Sequence, residues 1–176
     1  PHLPGGSVPE RIEAEKRLRR DLALPVAARA EALLARCAAH GVTTMRCHVD
    51  IDDEVGLAGA QALLGVRQRW RRRIDIQLVA FPQSGILRQR HTAELMEEAL
   101  RLGFEVVGGL DPAGYDGDVE GHLDVVFGLA ERFGAMVDIH LHDPAELGAF
   151  QVELILDRVE RLGLDGRVTI AHGFAV

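Results

Sequence analysis

The chain has 176 residues, of which 47% are hydrophobic and 5% aromatic, and it carries a formal net charge of −7. A chain of this size normally forms one domain with a sizeable core, and its acidic balance argues against nucleic acid as a general partner. No apolar run reaches membrane length, and the opening PHLPGG lacks the pattern of a signal peptide. We therefore expect neither a nucleic-acid nor a membrane partner.

Two local features have ordinary interpretations. The basic stretch RQRWRRR at 67–73 closes a predicted helix, where positive charge is stabilised by the helix dipole, so a solvated helix end is a better interpretation than a nucleic-acid patch. The only two cysteines, Cys37 and Cys47, form no disulfide framework. They are expected to be reduced, buried residues of a cytoplasmic protein.

In chain order, helical patterns over 8–20 and 25–40 precede five β-rich runs that alternate with further helices. The predicted strands are VTTMRCHVD (42–50), IDIQLVAF (74–81), FEVVGGL (104–110), MVDIHLH (136–142) and RVTIAH (167–172). The helices between and after them are predicted over 55–72, 92–102, 119–133 and 145–162 from their apolar spacing, and glycines such as Gly134 and Gly163 stand where helices should end. We expect one domain over 1–176, with leading helices over 1–41 and five strand–helix units over 42–176.

The strand starts are 30 to 32 residues apart, the length of one strand, one helix and the return to a parallel strand. The predicted class is therefore α/β. No glycine-rich dinucleotide loop follows any strand, which leaves the Rossmann interpretation without support. Polar residues instead follow each strand in turn: His48 and Asp50, Gln83, Asp111, His140 with His142 and Asp143, and His172.

Reactive residues at the ends of all five strands favour a (β/α)₈ (TIM) barrel, whose strand ends converge on one mouth. We expect the strands in sequential order, with helices on the outer face only. Because such a barrel needs roughly 250 residues, the chain should supply only about five of its units. An open, curved five-strand sheet is the less favoured alternative, since its raw edges would invite aggregation.

The stretch VDIHLHD at 137–143 carries the strongest chemical signal. His140 and His142 share one face of a strand, and His172 ends the next strand, so His140 and His172 could approach one divalent metal. Asp143 could carry a proton between a metal-bound water and a substrate. A lone histidine is more often a satisfied polar residue, and that interpretation is favoured for His48.

The segments VDIHLHD, VTIAHG, RCHVDID and IDIQLVAFPQSGIL together resemble the cytosine deaminase group of the amidohydrolase superfamily. The resemblance runs from about residue 10 to the end of the chain. It implies a metal-dependent (β/α)₈ barrel that binds one divalent ion, zinc or iron, and hydrolyses C–N bonds in nitrogen heterocycles. The five strands here would then be strands 2 to 6 of that barrel.

The resemblance also implies residue roles. His140 and His172 fall where the family ends strands 5 and 6 with metal ligands, and Gln83 falls where it holds the substrate ring. Asp143 occupies the position of a proton-carrying glutamate, and His142 is assigned with Gln83 to substrate binding. The family's strand 1 H-x-H pair and strand 8 Asp have no counterpart here, so the chain alone is expected to be inactive.

The function expected from the resemblance is hydrolytic deamination, in which metal-bound hydroxide attacks the amine-bearing ring carbon. The alternatives are an amide-cleaving amidohydrolase of the same group and a non-catalytic barrel that has lost its metal. The expected partner is a small heterocyclic substrate, and a homo-oligomer is left open. A phosphate-binding barrel ranks well below these, since no glycine-rich loop opens a helix.

Overall fold

The computed structural model describes residues 6–175. Our interpretation of PHLPGG rests mainly on residues 1–5, which lie outside the described part of the chain. The helices are α1 (Val8–Asp21), α2 (Val26–Ala39), α3 (Ala58–Trp70), α4 (Thr92–Arg101), α5 (Val119–Phe133) and α6 (Ala145–Leu162). The strands are β1 (Thr44–Asp50), β2 (Asp75–Phe81), β3 (Val106–Leu110), β4 (Met136–Leu141) and β5 (Val168–His172).

The five strands form one parallel sheet in the order β1-β2-β3-β4-β5. This confirms the predicted elements and their sequential order, with strand ends that differ from the prediction by at most two residues. Among the glycines predicted to end helices, Gly134 and Gly163 adopt φ values of 59° and 61°. Both close their helices in the left-handed conformation that glycine adopts without a steric penalty.

The sheet is strongly curled. Strands in a sheet lie about 4.8 Å apart, so β1 and β4 would be separated by about 14 Å in a flat sheet. Yet the guanidinium of Arg46 on β1 donates to Asp138 on β4 at 2.7 Å and to Thr169 on β5 at 3.0 Å. An arginine side chain can span that distance only if β1 faces β4 and β5 across a concave surface. The chain therefore forms a five-strand half-barrel, consistent with part of a TIM barrel.

The two faces of the curled sheet bury different residues. Ile76, Leu78 and Ala80 of β2 belong to the main core beneath α2 to α6, on the outer face. The alternate residues Val79 and Phe81 face inward, as the two-residue period of a strand requires. The expected apolar packing between sheet and outer helices is thus present.

Helix α1 departs from the expectation that helices lie only on the outer face. Its Ile12 is 1% exposed and packs with Val79, Phe81, Leu110 and Tyr115, which belong to the inner side of the sheet. The apolar periodicity of residues 8–20 predicted the helix correctly, but it could not predict which side of the sheet the helix would cover. As a result, α1 forms a wall over the carboxyl ends of the strands.

The cysteines, the segment after β3 and the apolar character of the helices complete the comparison with the sequence. Cys37 and Cys47 are free, as predicted, but they are only partly buried. Residues Pro112–Asp116, for which the sequence predicted no element, form a single turn of π-helix after β3. Within residues 6–175, none of the helices combines the length and the apolar character needed to cross a membrane.

Candidate metal and substrate site

Four histidines gather where β1, β4 and β5 end. The Nε2 atoms of His48 and His140 are 3.1 Å apart, and the ring of His140 lies 4.9 Å from that of His172, centre to centre. The rings of His142 and His172 are closer still, at 4.0 Å. The predicted approach of His140 and His172 is therefore present, and His48, for which we favoured a purely structural interpretation, belongs to the same cluster.

Asp138, which the sequence analysis did not single out, completes the cluster. One ligand atom each from His48, Asp138 and His140 lie within 4.8 Å of one another. The Asp138 oxygens are 3.5 Å from His48 Nε2 and 3.8 Å from His140 Nε2. Ligand atoms of one tetrahedral zinc ion are about 3.3 Å apart, given Zn–N bonds near 2.05 Å. These separations fit a divalent metal with small movements of the side chains.

The protonation of His140 suits the same role. Burial and the neighbouring His48 lower the pKa of His140 to about 4, so its imidazole is neutral near pH 7. The neutral form is the one that binds a metal ion. Burial also lowers the pKa of His172, with a further contribution from His142. Both pKa shifts favour the neutral imidazole, which is the form that binds a metal ion.

Two residues at the strand ends have backbone conformations that are uncommon outside glycine. Asp111, directly after β3, has φ of 36°, and His172, the last residue of β5, has φ of 68°. The Asp111 carboxylate accepts a hydrogen bond from the backbone N–H of His142 at 2.6 Å and lies 2.9 Å from its Nδ1. Such strained positions tend to cluster at functional sites. Here Asp111 orients the His142 ring, which lies against that of His172.

A cavity of about 160 Å³ opens beside the cluster, between α1 and the strand ends. Its polar lining is Arg11, Gln83, His140 and His142, and its apolar lining includes Ile12. Pockets for drug-sized ligands span roughly 300–1,000 Å³, so this cavity suits a compound with a single ring. Gln83 lines this cavity, and its amide nitrogen donates to Glu15 of α1 at 3.2 Å.

Asp143 directly follows His142 in the chain, and its side chain makes contacts that the sequence did not predict. Its Oδ2 accepts from the backbone N–H of Gly114 at 3.0 Å and from Nε2 of Gln151 at 2.9 Å. Helix α6 begins after Pro144 without a side-chain cap, so Asp143 does not act as its N-cap. Its carboxylate joins the π-helical turn to α6.

We expect Gly114→Ala to disturb Asp143 directly. A Cβ on Gly114 would overlap Oδ1 of Asp143, and moving the carboxylate would weaken its two hydrogen bonds, each worth about 1 kcal/mol. The free energy of unfolding should fall by about 1 to 3 kcal/mol, measured by urea denaturation. The control is Gly128→Ala on α5, whose Cβ meets nothing within 4 Å and should stabilise by up to about 1 kcal/mol. Equal stability of the two variants would contradict the contact.

Comparison with known proteins identifies relatives and solved structures that resemble this chain. No family model matches the chain. N-isopropylammelide isopropyl amidohydrolase of Pseudomonas sp. (strain ADP) is 35% identical over 135 residues, which cover 77% of this chain and 34% of that protein. The crystal structure of N-isopropylammelide isopropylaminohydrolase from Burkholderia multivorans superposes with a TM-score of 0.91 at 41% identity, over 96% of this chain and 43% of that one.

A second solved structure extends the comparison. The 5-methylcytosine deaminase of Klebsiella pneumoniae, liganded with phosphonocytosine, superposes with a TM-score of 0.77 at 31% identity, over 90% of this chain and 40% of that one. The fold and the similar proteins together define an amidohydrolase-type half-barrel. The chain belongs to the amidohydrolase superfamily, among its deaminase-like members, as the resemblance indicated. It spans between about a third and two fifths of the length of these relatives.

Asp138 and Arg46 were missed by the sequence analysis, although the positions of both residues carried a signal. Asp138 stands two positions before His140, and Arg46 two positions before His48, so each shares a strand face with a histidine. A buried charge in the middle of an apolar strand is uncommon unless it is paired. Those two observations together would have identified an internal polar network, although not its partners across the sheet.

Proposed function

We propose that the protein containing this chain hydrolyses a C–N bond of a nitrogen heterocycle, as a cytosine deaminase-like enzyme that uses one zinc or iron ion. The observation that carries this proposal is the convergence of His140 with His48, His172 and Asp138 beside a cavity of single-ring size. His140 and His172 are proposed as metal ligands, together with ligands from other parts of the protein. When bound, a divalent metal supplies an activated water for attack on the ring carbon.

Other residues of this chain would bind the substrate ring and exclude bulk water. Gln83 offers one acceptor and two donors to the carbonyl and N–H groups of a ring, and His142, held by Asp111, lines the same cavity. Ile12 of α1 covers the cavity and excludes bulk water. Water adds to the ring carbon, the C–N bond breaks, and the amine leaves with a proton that came from the water.

Asp143 is proposed to move that proton. Both of its hydrogen bonds to Gly114 and Gln151 are made through Oδ2, so we assign the proton transfer to Oδ1. Neither bond uses Oδ1, which lies against Gly114. An aspartate here reaches about one bond less far than a glutamate would, which favours a ring seated close to the end of β4.

A second candidate function within the same chemistry is the removal of an alkylamine. The chain is 41% identical to the isopropylaminohydrolase structure and 31% identical to the methylcytosine deaminase structure. A substituted amine as leaving group is therefore as well supported as ammonia. The two differ only in the product released, so a single assay can distinguish them.

The experiment is hydrolysis by the purified full-length protein, loaded with one equivalent of Zn²⁺ or Fe²⁺. Cytosine, 5-methylcytosine and N-isopropylammelide are offered in turn, and ammonia or isopropylamine is measured. We expect release of one of the two amines, dependent on the metal and abolished by a chelator. A protein that holds its metal and hydrolyses none of the three would contradict the proposed substrate class. A protein that binds no metal would favour a non-catalytic barrel.

A further inference from the structure

A polar network crosses the inner face of the half-barrel below the histidine cluster, with Asp138 buried, Arg46 and Gln77 partly buried and Thr169 exposed. The Arg46 guanidinium on β1 donates to Gln77 on β2 at 2.7 Å, to Asp138 on β4 at 2.7 Å and to Thr169 on β5 at 3.0 Å. Asp138 is 2% exposed. One side chain thus joins four of the five strands. The proposed chemistry gives this network no role, because neither Arg46 nor Gln77 lines the cavity.

Asp138 links this network to the histidines. Its Oδ2 receives the Arg46 guanidinium and lies 3.5 Å from His48 Nε2. Its Oδ1 is buried without a hydrogen-bond partner among the described residues and lies 3.8 Å from His140 Nε2. A buried carboxylate with an unpaired oxygen is costly. The carboxylate as a whole faces both imidazoles, with Oδ2 near His48 and Oδ1 near His140, which indicates that it serves the orientation of their rings.

We infer that Arg46 and Asp138 are positioning residues, which hold the imidazole of His140, and that of His48 beside it, in the arrangement that lets His140 bind a metal ion. This inference rests on the proposed metal site. We assign Asp138 a positioning role, because its Oδ2 accepts from the Arg46 guanidinium while the carboxylate lies 3.5 Å and 3.8 Å from the Nε2 atoms of His48 and His140. Arg46 thus holds Asp138 across the curled sheet, and Asp138 limits the positions that the two rings can take. Carboxylates that orient metal-binding histidines commonly contribute a factor of about 10 to 100 in metal affinity.

The two possible roles of Asp138 predict opposite signs for one substitution. If Asp138 were a metal ligand paired with Arg46, Arg46→Met would remove a positive charge beside the metal and would leave the affinity equal or higher. If the pair positions the histidines, Arg46→Met should raise the dissociation constant for Zn²⁺ by about 10-fold or more. Arg46→Lys should give an intermediate value, because a single ammonium cannot replace the planar guanidinium fork.

The test measures the affinity for Zn²⁺ by competition with a chelator, and the visible absorption of the Co²⁺-loaded protein. We expect Arg46→Met to weaken binding and to change the Co²⁺ spectrum, which reports ligand geometry. The matched control is Arg69→Met, which removes an exposed arginine paired with Glu31 at 2.7 Å and should change neither. Unchanged or tighter binding in Arg46→Met would overturn the inference.

Two further measurements cover the cases in which Arg46→Met does not fold or the wild-type protein binds no metal. If Arg46→Met does not fold, Thr169→Val removes a single contact of the same network and should raise the dissociation constant a few-fold. If the wild-type protein binds no metal, the proposed site fails, but the positioning role is still tested in the metal-free protein. There, the ring ¹⁵N resonances of His48 and His140 should shift in Arg46→Met and not in Arg69→Met. Resonances unchanged in both variants would rule the role out.

Discussion

Asp143→Asn is expected to lower the turnover of the full-length protein by a factor of at least about 10². Asparagine has nearly the same shape as aspartate but cannot take a proton from water and return it to a leaving amine. Its amide oxygen can still accept from Gly114, so the fold and the bound metal should be retained. The measurement is steady-state hydrolysis of whichever heterocycle the wild-type protein accepts, together with the metal content of the variant.

The control is Asp118→Asn. Asp118 caps α5 by accepting from the backbone N–H of Gly121, and asparagine caps a helix about as well as aspartate. Turnover in this variant should therefore match the wild type. Near-normal turnover in Asp143→Asn would remove Asp143 from the proposed mechanism. Its bonds to Gly114 and Gln151 would then be its whole role, which is to join the turn after β3 to α6.

His140→Ala is expected to weaken metal binding at least about 100-fold, because it removes a proposed ligand that lies between His48 and His172 in the cluster. The loss can be measured without any substrate. At a free metal concentration 100 times the dissociation constant, the wild-type protein gains about 2.7 kcal/mol of stability. A variant with a 100-fold higher dissociation constant gains only about 0.4 kcal/mol under the same conditions.

The matched control for this prediction is His91→Ala. His91 is an exposed residue at the start of α4, paired only with Glu94, and its removal should leave the metal-dependent gain in stability unchanged. Chemical denaturation with and without Zn²⁺ gives the gain for each variant. A full 2.7 kcal/mol gain in His140→Ala would show that the metal binds elsewhere. The assignment of His140 and His172 as ligands would then be wrong.

Most of the architecture could be predicted from the sequence, because it depends on local patterns. Alternating and continuous apolar runs located all five strands, and helical spacing with glycines such as Gly134 located the helices. The period of 30 to 32 residues indicated parallel strands in sequential order, which the sheet confirms. The convergence of His140 and His172 was also predictable, since neighbouring parallel strands bring their ends together.

Other features depend on the curl of the sheet, which no local pattern specifies. Arg46 and Asp138 are 92 positions apart in the chain, and they meet only because β1 and β4 face one another across the inner surface. The same curl brings His48 to His140. The apolar side of α1 could have been buried against either face of the sheet, and only the tertiary structure placed Ile12 over the cavity.

The surroundings of Asp143 and His142 were likewise predictable only in part. The sequence alone determined that Asp143 follows a strand carrying two histidines, and therefore that it lies near the predicted site. Only the folded chain brought Gly114 and Gln151 to its Oδ2 and Asp111 to His142, because those partners come from separate turns and helices. Strand and helix patterns reflect interactions between residues close in sequence. A site reflects distances between residues far apart, which the packing of the whole half-barrel decides.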